Sequence, residues 1–410
     1  MAERSEEQYC VILHDRPVGR LHRVGDVTRF AFEEGYWSDA DRAVLGLRFE
    51  DNPRERNRSR MRLPPWFSNL LPEGRLRQWI ADARLVSVQR EMELLAQVGH
   101  DLPGAVRVVA ADAAIPVDTS GAEDSGRHLS RRTDGLWSFS LAGVALKFSL
   151  MARGERLTIP AVGEQGDWIV KLPDPVHPEV PRNEFAMMEL ARSVGIEVPE
   201  IRLVHRDQVD TLPEAAWSSR EDWAYAIKRF DRSTDRRSVH IEDMAQVRGF
   251  YPEEKYSGSF ETIAALTYRN HDVDSLREFA RRMVFNVLIG NGDAHLKNWS
   301  LIYDNPRVPK LAPAYDLVST FSYRPDGDGA EDMGLRFGRS KRFEAVSLAT
   351  FDALDHRLGA KADLADVART VAERMVSEWP RAETLLDDTP MLCRKIGLFV
   401  KSRLPQFLGS

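Results

Sequence analysis

Cysteine is nearly absent: Cys10 and Cys393 are the only two in 410 residues. That excludes a disulfide scaffold and Cys-rich zinc sites, and it fits a reducing compartment. Long apolar runs are missing too. The stretch 283–289 is far below the roughly 20 residues needed to span a bilayer. The opening MAERSEEQYC is polar and acidic, unlike a secretory signal. A soluble, cytoplasmic protein without membrane association is expected. No charge of one sign dominates: the net charge of −6 gives no global drive toward nucleic acid or anionic lipid. Lysine is scarce, at 10 of 57 basic residues. Where arginine serves for general positive charge, a lysine stands out as a position that needs an ammonium, because the two are not interchangeable around phosphate.

What is present is ordinary globular material. Hydrophobic residues make up 43% and charged residues 29%, which excludes intrinsic disorder. The length suggests two or three domains at about 150 residues each. Residues 9–13 and 29–32 alternate like strands, with a turn expected at 16–19, and residues 66–85 and 88–98 carry helical spacing. Ser68 is a candidate N-cap, blunted by Pro72. Residues 111–135 are polar and rich in Gly and Ser, as in a linker or mobile loop. A hairpin is expected over 136–150, with further strands at 167–172 and 223–230 and a helix at 184–193 between them. Beyond 236 helices dominate, at 274–288, 361–379 and 391–404, with one short strand at 299–303.

The chemistry is concentrated in Asn291-Gly292-Asp293-Ala294-His295-Leu296-Lys297-Asn298, between a helix and a strand, followed by Ala312-Pro313-Ala314-Tyr315-Asp316. Asp293 and Asn298 are five apart, the separation used by protein-kinase catalytic loops. Phosphoryl transfer needs a carboxylate to orient the attacking hydroxyl and accept its proton. It also needs an amide oxygen and a second carboxylate to hold Mg2+ between phosphates. Asp293, Asn298 and Asp316 suit those roles, and His295 and Lys297 lie within reach of phosphate or of the loop itself. A polar loop satisfying its own turn would give the same octapeptide, but the downstream Asp316 segment makes that reading weaker.

Two companion elements are expected. One is a phosphate loop followed by a lysine on a strand: Ala142, Gly143, Val144, Ala145, Leu146 and Lys147 form the candidate loop, and Lys171 lies on the candidate strand. The other is a helix carboxylate, Glu184, to pair with Lys171. An ordinary hairpin and a solvated carboxylate are the plainer alternatives. Lys228, Arg229 and Phe230 fall where the lobes would join, with Phe230 placed to wall an adenine. Four of the ten lysines (147, 171, 228 and 297) lie in these elements.

Taken in order, these segments resemble the HipA-like serine/threonine kinases, the toxins of bacterial toxin–antitoxin pairs. The resemblance covers nearly the whole chain, and includes WFSNLLPEG at 66–74, Asn183-Glu184, Lys228–Arg232, Glu242-Asp243 and Lys255-Tyr256. It implies an α+β, two-lobed protein-kinase-like fold with an extra N-terminal α+β subdomain. The divisions would be 1–110 (N-terminal subdomain), 111–135 (linker), 136–235 (small lobe) and 236–410 (helical large lobe). It implies ATP and Mg2+ as cofactors, with Asp293 as catalytic acid/base, Asn298 and Asp316 at the metal, Lys171 on phosphate, 142–147 around the nucleotide, and Lys228 and Phe230 at the adenine. It further implies self-limitation by phosphorylation of Ser140, with Ser138 as the alternative, because the added charge beside ATP would expel the loop. The implied partners are a small helix-turn-helix antitoxin (HipB-like), operator DNA through that antitoxin, and a protein substrate such as an aminoacyl-tRNA synthetase. The arginines at 54, 56, 58, 60 and 62 either touch DNA in such a complex or form a solvated face. An aminoglycoside-type small-molecule phosphotransferase and a catalytically silent corepressor are the competing readings.

Overall fold

The computed structural model describes residues 6–111, 146–160, 165–210, 212, 216–325, 327–328 and 332–408. Five antiparallel strands open the chain: β1 (Glu6–Leu13), β2 (Arg16–Val24), β3 (Val27–Phe32), β4 (Arg58–Arg60) and β5 (Val106–Ala110). They pair in the order β4-β3-β2-β1-β5. Helices Pro65–Ser68, Gly74–Arg84 and Glu91–Val98 complete this first unit. A second five-stranded sheet combines β6 (Lys147–Arg153), β7 (Arg156–Thr158), β8 (Trp168–Lys171), β9 (Ile201–His205) and β10 (Trp223–Lys228) in the order β7-β6-β8-β10-β9. The helix Val180–Ser193 packs on it. A small sheet, β11 (His240–Asp243), β12 (Ser300–Asn305) and β13 (Val308–Leu311), borders a helical region built on Val273–Ile289, Leu348–Leu358, Leu364–Leu385 and Pro390–Arg403.

The second sheet divides two cores, and the period-two alternation of β10 shows how. Ala224 and Ala226 join the core of the first unit, with Trp66, Phe67, Phe148 and Val170. Tyr225 and Ile227 join the other, with helix Val180–Ser193 and the large helical region. The sheet is thus covered on both faces. Such a strand carries apolar residues at consecutive positions rather than a polar alternation.

Several expectations need correction. Residues 16–19 are not a turn: Pro17 lies within β2, opposite a register shift at Val11/Ile12, and the chain reverses at His14-Asp15, with His14 at φ 54°. An irregular register tolerates a residue that lacks an N–H. The helical pattern of 66–85 is interrupted because Pro72 cannot continue a helix and Gly74 adopts φ +53°. Ser68 caps nothing. It ends the short helix, and its hydroxyl donates to the buried Glu91 (3.0 Å). The helix expected at 184–193 begins at Val180, since Pro181 is acceptable in a first turn. Most of the expected 136–150 hairpin, including Ser138, Ser140, Ala142, Gly143, Val144 and Ala145, lies outside the described residues, as does nearly all of 111–135. Among the described residues, no helix is long and apolar enough to cross a membrane.

Candidate active site

The helix Val273–Ile289 leads into the loop 291–298. Asp272 caps its start by accepting from the Ser275 N–H (2.9 Å), and buried Leu276, Phe279, Met283 and Val287 anchor one face. Gly290 ends it at φ +66°, a left-handed cap that favours glycine. The loop that follows is held by its own polar groups. Asn291 Nδ2 donates to Asn286 Oδ1 (2.8 Å), the Gly292 N–H donates to Thr320 Oγ1 (2.8 Å), and the Asp293 N–H donates to Asn291 Oδ1 (3.1 Å). Asn298 Nδ2 donates to the Asp293 carbonyl (3.0 Å), which leaves its amide oxygen as the end available to a ligand. Asp293 itself is exposed, and Tyr256 donates to its Oδ1 (2.6 Å).

A cavity of about 910 Å³ opens above this loop, between the sheet β6–β10 and the large helical region. It is lined by Asp293, His295, Lys297, Asn298 and Asp316 from one side and by Leu146, Lys147, Lys171, Glu184 and the 227–231 segment from the other. Apart from residues outside the described range, every expected site residue borders it. Ile169, Ile227 and Ile241 give it apolar walls, and Phe230 leans on Tyr315 with ring centroids 5.6 Å apart and planes tilted by 32°.

Four charged groups crowd the floor. Lys147 and Lys171 are directly opposite each other on β6 and β8, and Lys171 is opposite Tyr225 on β10. Like charges facing each other across strands repel. Lys171 answers by pairing with Glu184 (2.6 Å) and with Asp316. Burial alone would lower the Lys171 ammonium, but the two carboxylates override it and hold Lys171 firmly charged. Burial pushes Glu184 up to about 7, against the pull of Lys171. Burial also works against Asp316, yet Lys171 and Lys147 together hold its carboxyl well below the usual range. Two carboxylates share one close ammonium, and Asp316, facing both lysines, keeps the charge. Lys147 bears the cost of this arrangement: burial and then Lys171 depress it, with Asp316 opposing. Asp316 also sits at φ 55°, a left-handed backbone that is costly for a residue with a side chain. A depressed, buried ammonium with no ion pair among the described residues, beside local strain, marks the place where an anion would be welcome.

Other expected residues have different engagements. His295 is pushed down to about 4 by burial, so at neutral pH it faces the cavity as a neutral ring, edge-on to Tyr256. The exposed Lys228 pairs with Glu200 (3.0 Å) at the rim. Arg229 does not offer its guanidinium to a nucleotide. All three of its nitrogens are used by Asp231, Asp101, Ser149 and the Leu102 carbonyl. Lys297 borders the cavity, but its ammonium is bound by Asn69 and lies near Glu73 and Asp243. The residues not singled out as functional from the sequence are Asn69, Glu73 and Tyr256. Their one signal was membership of the segments at 66–74 and 255–256, and Lys255 is a further lysine in an arginine-rich chain.

The comparisons agree with this geometry. Residues 9–109 match the HipA N-terminal domain family, and residues 139–379 match the HipA-like C-terminal domain family. The putative kinase Y4dM of Sinorhizobium fredii is 44% identical over 386 residues, 90% of each chain. The serine/threonine-protein kinase toxin HipA of Shewanella oneidensis is 28% identical over 287 residues, 62% of each chain. A solved complex of HipA, HipB and operator DNA from Shewanella oneidensis superimposes with a TM-score of 0.74 at 22% identity, covering 99% of this chain and 98% of that one. The fold is therefore the α+β, two-lobed kinase-like architecture with its additional N-terminal domain, and the chain belongs to the family of HipA-like kinases.

Proposed function

We propose that this chain is an ATP-dependent serine/threonine protein kinase acting as the toxin of a toxin–antitoxin pair. The observation that carries the reading is the cavity itself. One wall holds the exposed Asp293, with Asn298 and Asp316, and the other holds the opposed lysines Lys147 and Lys171. In this reading residues 136–235 form the small lobe and residues 236–410 the large one. The adenine packs on Phe230 and among the isoleucines. Lys147 and Lys171 face the phosphates, so the triphosphate relieves their mutual repulsion. Asp293 holds the acceptor serine hydroxyl and takes its proton as the oxygen–phosphorus bond forms. The bond to the β-phosphate oxygen breaks, and ADP leaves. The ionised Asp316 carboxylate and the Asn298 amide oxygen are hard oxygen donors of the type Mg2+ takes, and these two residues would hold it. Bound there, Mg2+ supplies charge neutralisation between the phosphates.

Growth inhibition through a protein substrate, such as an aminoacyl-tRNA synthetase, follows from the same reading. So do neutralisation by a HipB-like helix-turn-helix antitoxin, contact with operator DNA through it, and a cytoplasmic location. Support for the partners comes from the fold shared with the HipA–HipB–DNA complex. Self-limitation at Ser140, or at Ser138, belongs to the same proposal. The test is intact mass after incubation with Mg2+-ATP. The wild type gains one phosphate mapped to Ser138 or Ser140, and Asp293→Asn loses the reaction by about a hundredfold or more. Equal phosphate gain in both proteins would contradict the assignment of Asp293.

A further inference from the structure

We propose that the N-terminal domain is a working part of the catalytic site, and that Glu73 is the positioning residue through which it holds the catalytic loop. The proposal rests on the kinase reading above. Lys297 lies in the loop immediately before Asn298, and its side chain is only 4% exposed. Its ammonium donates to the Asn69 carbonyl (3.0 Å) and to Asn69 Oδ1 (2.9 Å). It lies 3.2 Å from Glu73 Oε1 and 3.4 Å from Asp243 Oδ2. The other Glu73 oxygen accepts from Lys255 Nζ (3.2 Å). Two ammonium groups thus meet two carboxylates in a buried cluster, and two of the anchoring residues, Asn69 and Glu73, come from the first domain.

The position of Glu73 in its own helix points the same way. It is the residue before Gly74–Arg84, where a side-chain acceptor ordinarily folds back onto the helix N-terminus. Glu73 makes no such cap. Its carboxylate goes across the domain boundary to the two lysines instead, and they hold it below its ordinary range despite burial. Asn69 bridges as well, donating to the Phe250 carbonyl (2.7 Å).

From Lys255 the connection to the reacting groups is short. The Lys255 carbonyl accepts the Leu296 N–H (3.0 Å), and the next residue, Tyr256, donates to Asp293 Oδ1 (2.6 Å). Glu73 therefore fixes both sides of the loop: Lys297 directly, and Leu296 and Asp293 through the 255–256 segment. Among the described residues Lys255 has no other carboxylate partner. Removing the Glu73 charge frees that segment. A plain interdomain ion pair would have the same contacts but would not control the loop.

The experiment uses the full chain and three variants: Glu73→Gln, Glu73→Gln with Lys255→Met, and Glu253→Gln. The last removes the exposed Arg62–Glu253 pair at the same domain boundary without touching the loop. The rate of phosphate gain is measured against ATP concentration, and backbone hydrogen exchange is measured over 291–299. A misplaced reacting group costs about a hundredfold in rate. Glu73→Gln is expected to lose a comparable factor at saturating ATP while the half-saturating ATP concentration stays put. Exchange at Leu296 accelerates in that variant and not in Glu253→Gln. The double variant carries no unpaired Lys255 charge, so it separates positioning from folding, and its rate stays low. A wild-type rate in Glu73→Gln, or in the double variant, overturns the proposal. If the wild type transfers no phosphate, the kinase reading falls. The exchange data then judge the clamp alone: faster exchange in Glu73→Gln upholds it, and unchanged exchange overturns it.

Discussion

Two buried clusters, each with two positive and two negative groups, contribute residues to the wall of the cavity. In one, Arg229 and Arg232 meet Asp101 and Asp231. In the other, Lys147 and Lys171 meet Glu184 and Asp316. The first is densely hydrogen-bonded, although Asp101 Oδ2 and Arg232 Nε have no partner among the described residues. Every Arg229 nitrogen donates, and Asp231 also accepts from the Gly104 N–H (2.8 Å). Burial works against ionisation of Asp231, but the two guanidiniums win and hold its carboxyl far down. The second cluster is frustrated. Glu184 is raised, Lys147 is depressed, and Asp316 carries a strained backbone beside an open cavity. Equal numbers of charges therefore do different work. Planar guanidiniums with fixed donor geometry close a joint between domains. Ammonium groups facing each other across strands are, in the proposed reading, a site that an anion would complete.

The largest expected effect breaks the first cluster. Asp101→Asn keeps the shape and removes a charge shared by two buried arginines, so unfolding stability should fall by about 3–5 kcal/mol. Mg2+-ATP affinity of the folded protein should be unchanged. Urea unfolding followed by a binding titration checks both.

The next effect concerns a third buried group, Glu242, which also ties the first domain to the large lobe. It accepts from the Leu47 N–H (2.9 Å), from the Trp66 indole (3.0 Å) and from the Tyr303 hydroxyl. A Cβ on Gly46 would collide with that indole and approach this carboxylate, which explains a glycine there. Burial raises Glu242 from 4.5 to about 7. A raised carboxyl favours the protonated folded state. Its stabilisation is complete below pH 4.5 and is lost as the pH rises through about 7. Glutamine is neutral throughout, so Glu242→Gln should gain on the wild type by about 3 kcal/mol across that window. Thermal unfolding at about pH 4 and about pH 8, on either side of that window, measures it. A constant difference would contradict the assignment.

A smaller effect sharpens the contrast from the other side. Lys147→Met removes one of two repelling ammonium groups and fills the space with apolar atoms. Stability should hold or rise by about 1 kcal/mol, because a buried charge without an ion pair among the described residues is replaced by packing. A loss comparable to that of Asp101→Asn would place Lys147 with the structural charges instead.

Much of the site was legible in the sequence, for a physical reason. Asp293 and Asn298 are joined by a short loop, so their spacing is itself geometry. Lysines 147 and 171 stood out because arginine does the general work elsewhere in the chain. Glu184 lies on the helix that follows Lys171 after a short connection. The engagement of the Arg229 guanidinium was not legible, because its partner Asp101 is 128 residues away and no local pattern announces such a pairing. The same holds for Lys297 and Asn69, 228 apart. Local periodicity exposes elements, whereas side-chain partnerships across domains appear only when the chain is folded. Within the fold, Pro17 misled for a related reason: a proline signals a turn locally, but an irregular strand register absorbed it.

The central claim is that the frustrated cluster is completed by the phosphates of a nucleotide. Calorimetric titration of Mg2+-ATP into the wild type and into Lys171→Met tests it most directly. The account predicts saturable binding to the wild type and a loss of at least about tenfold in affinity in the variant, with adenosine alone binding both equally weakly. Equal Mg2+-ATP affinity in the two proteins would contradict it.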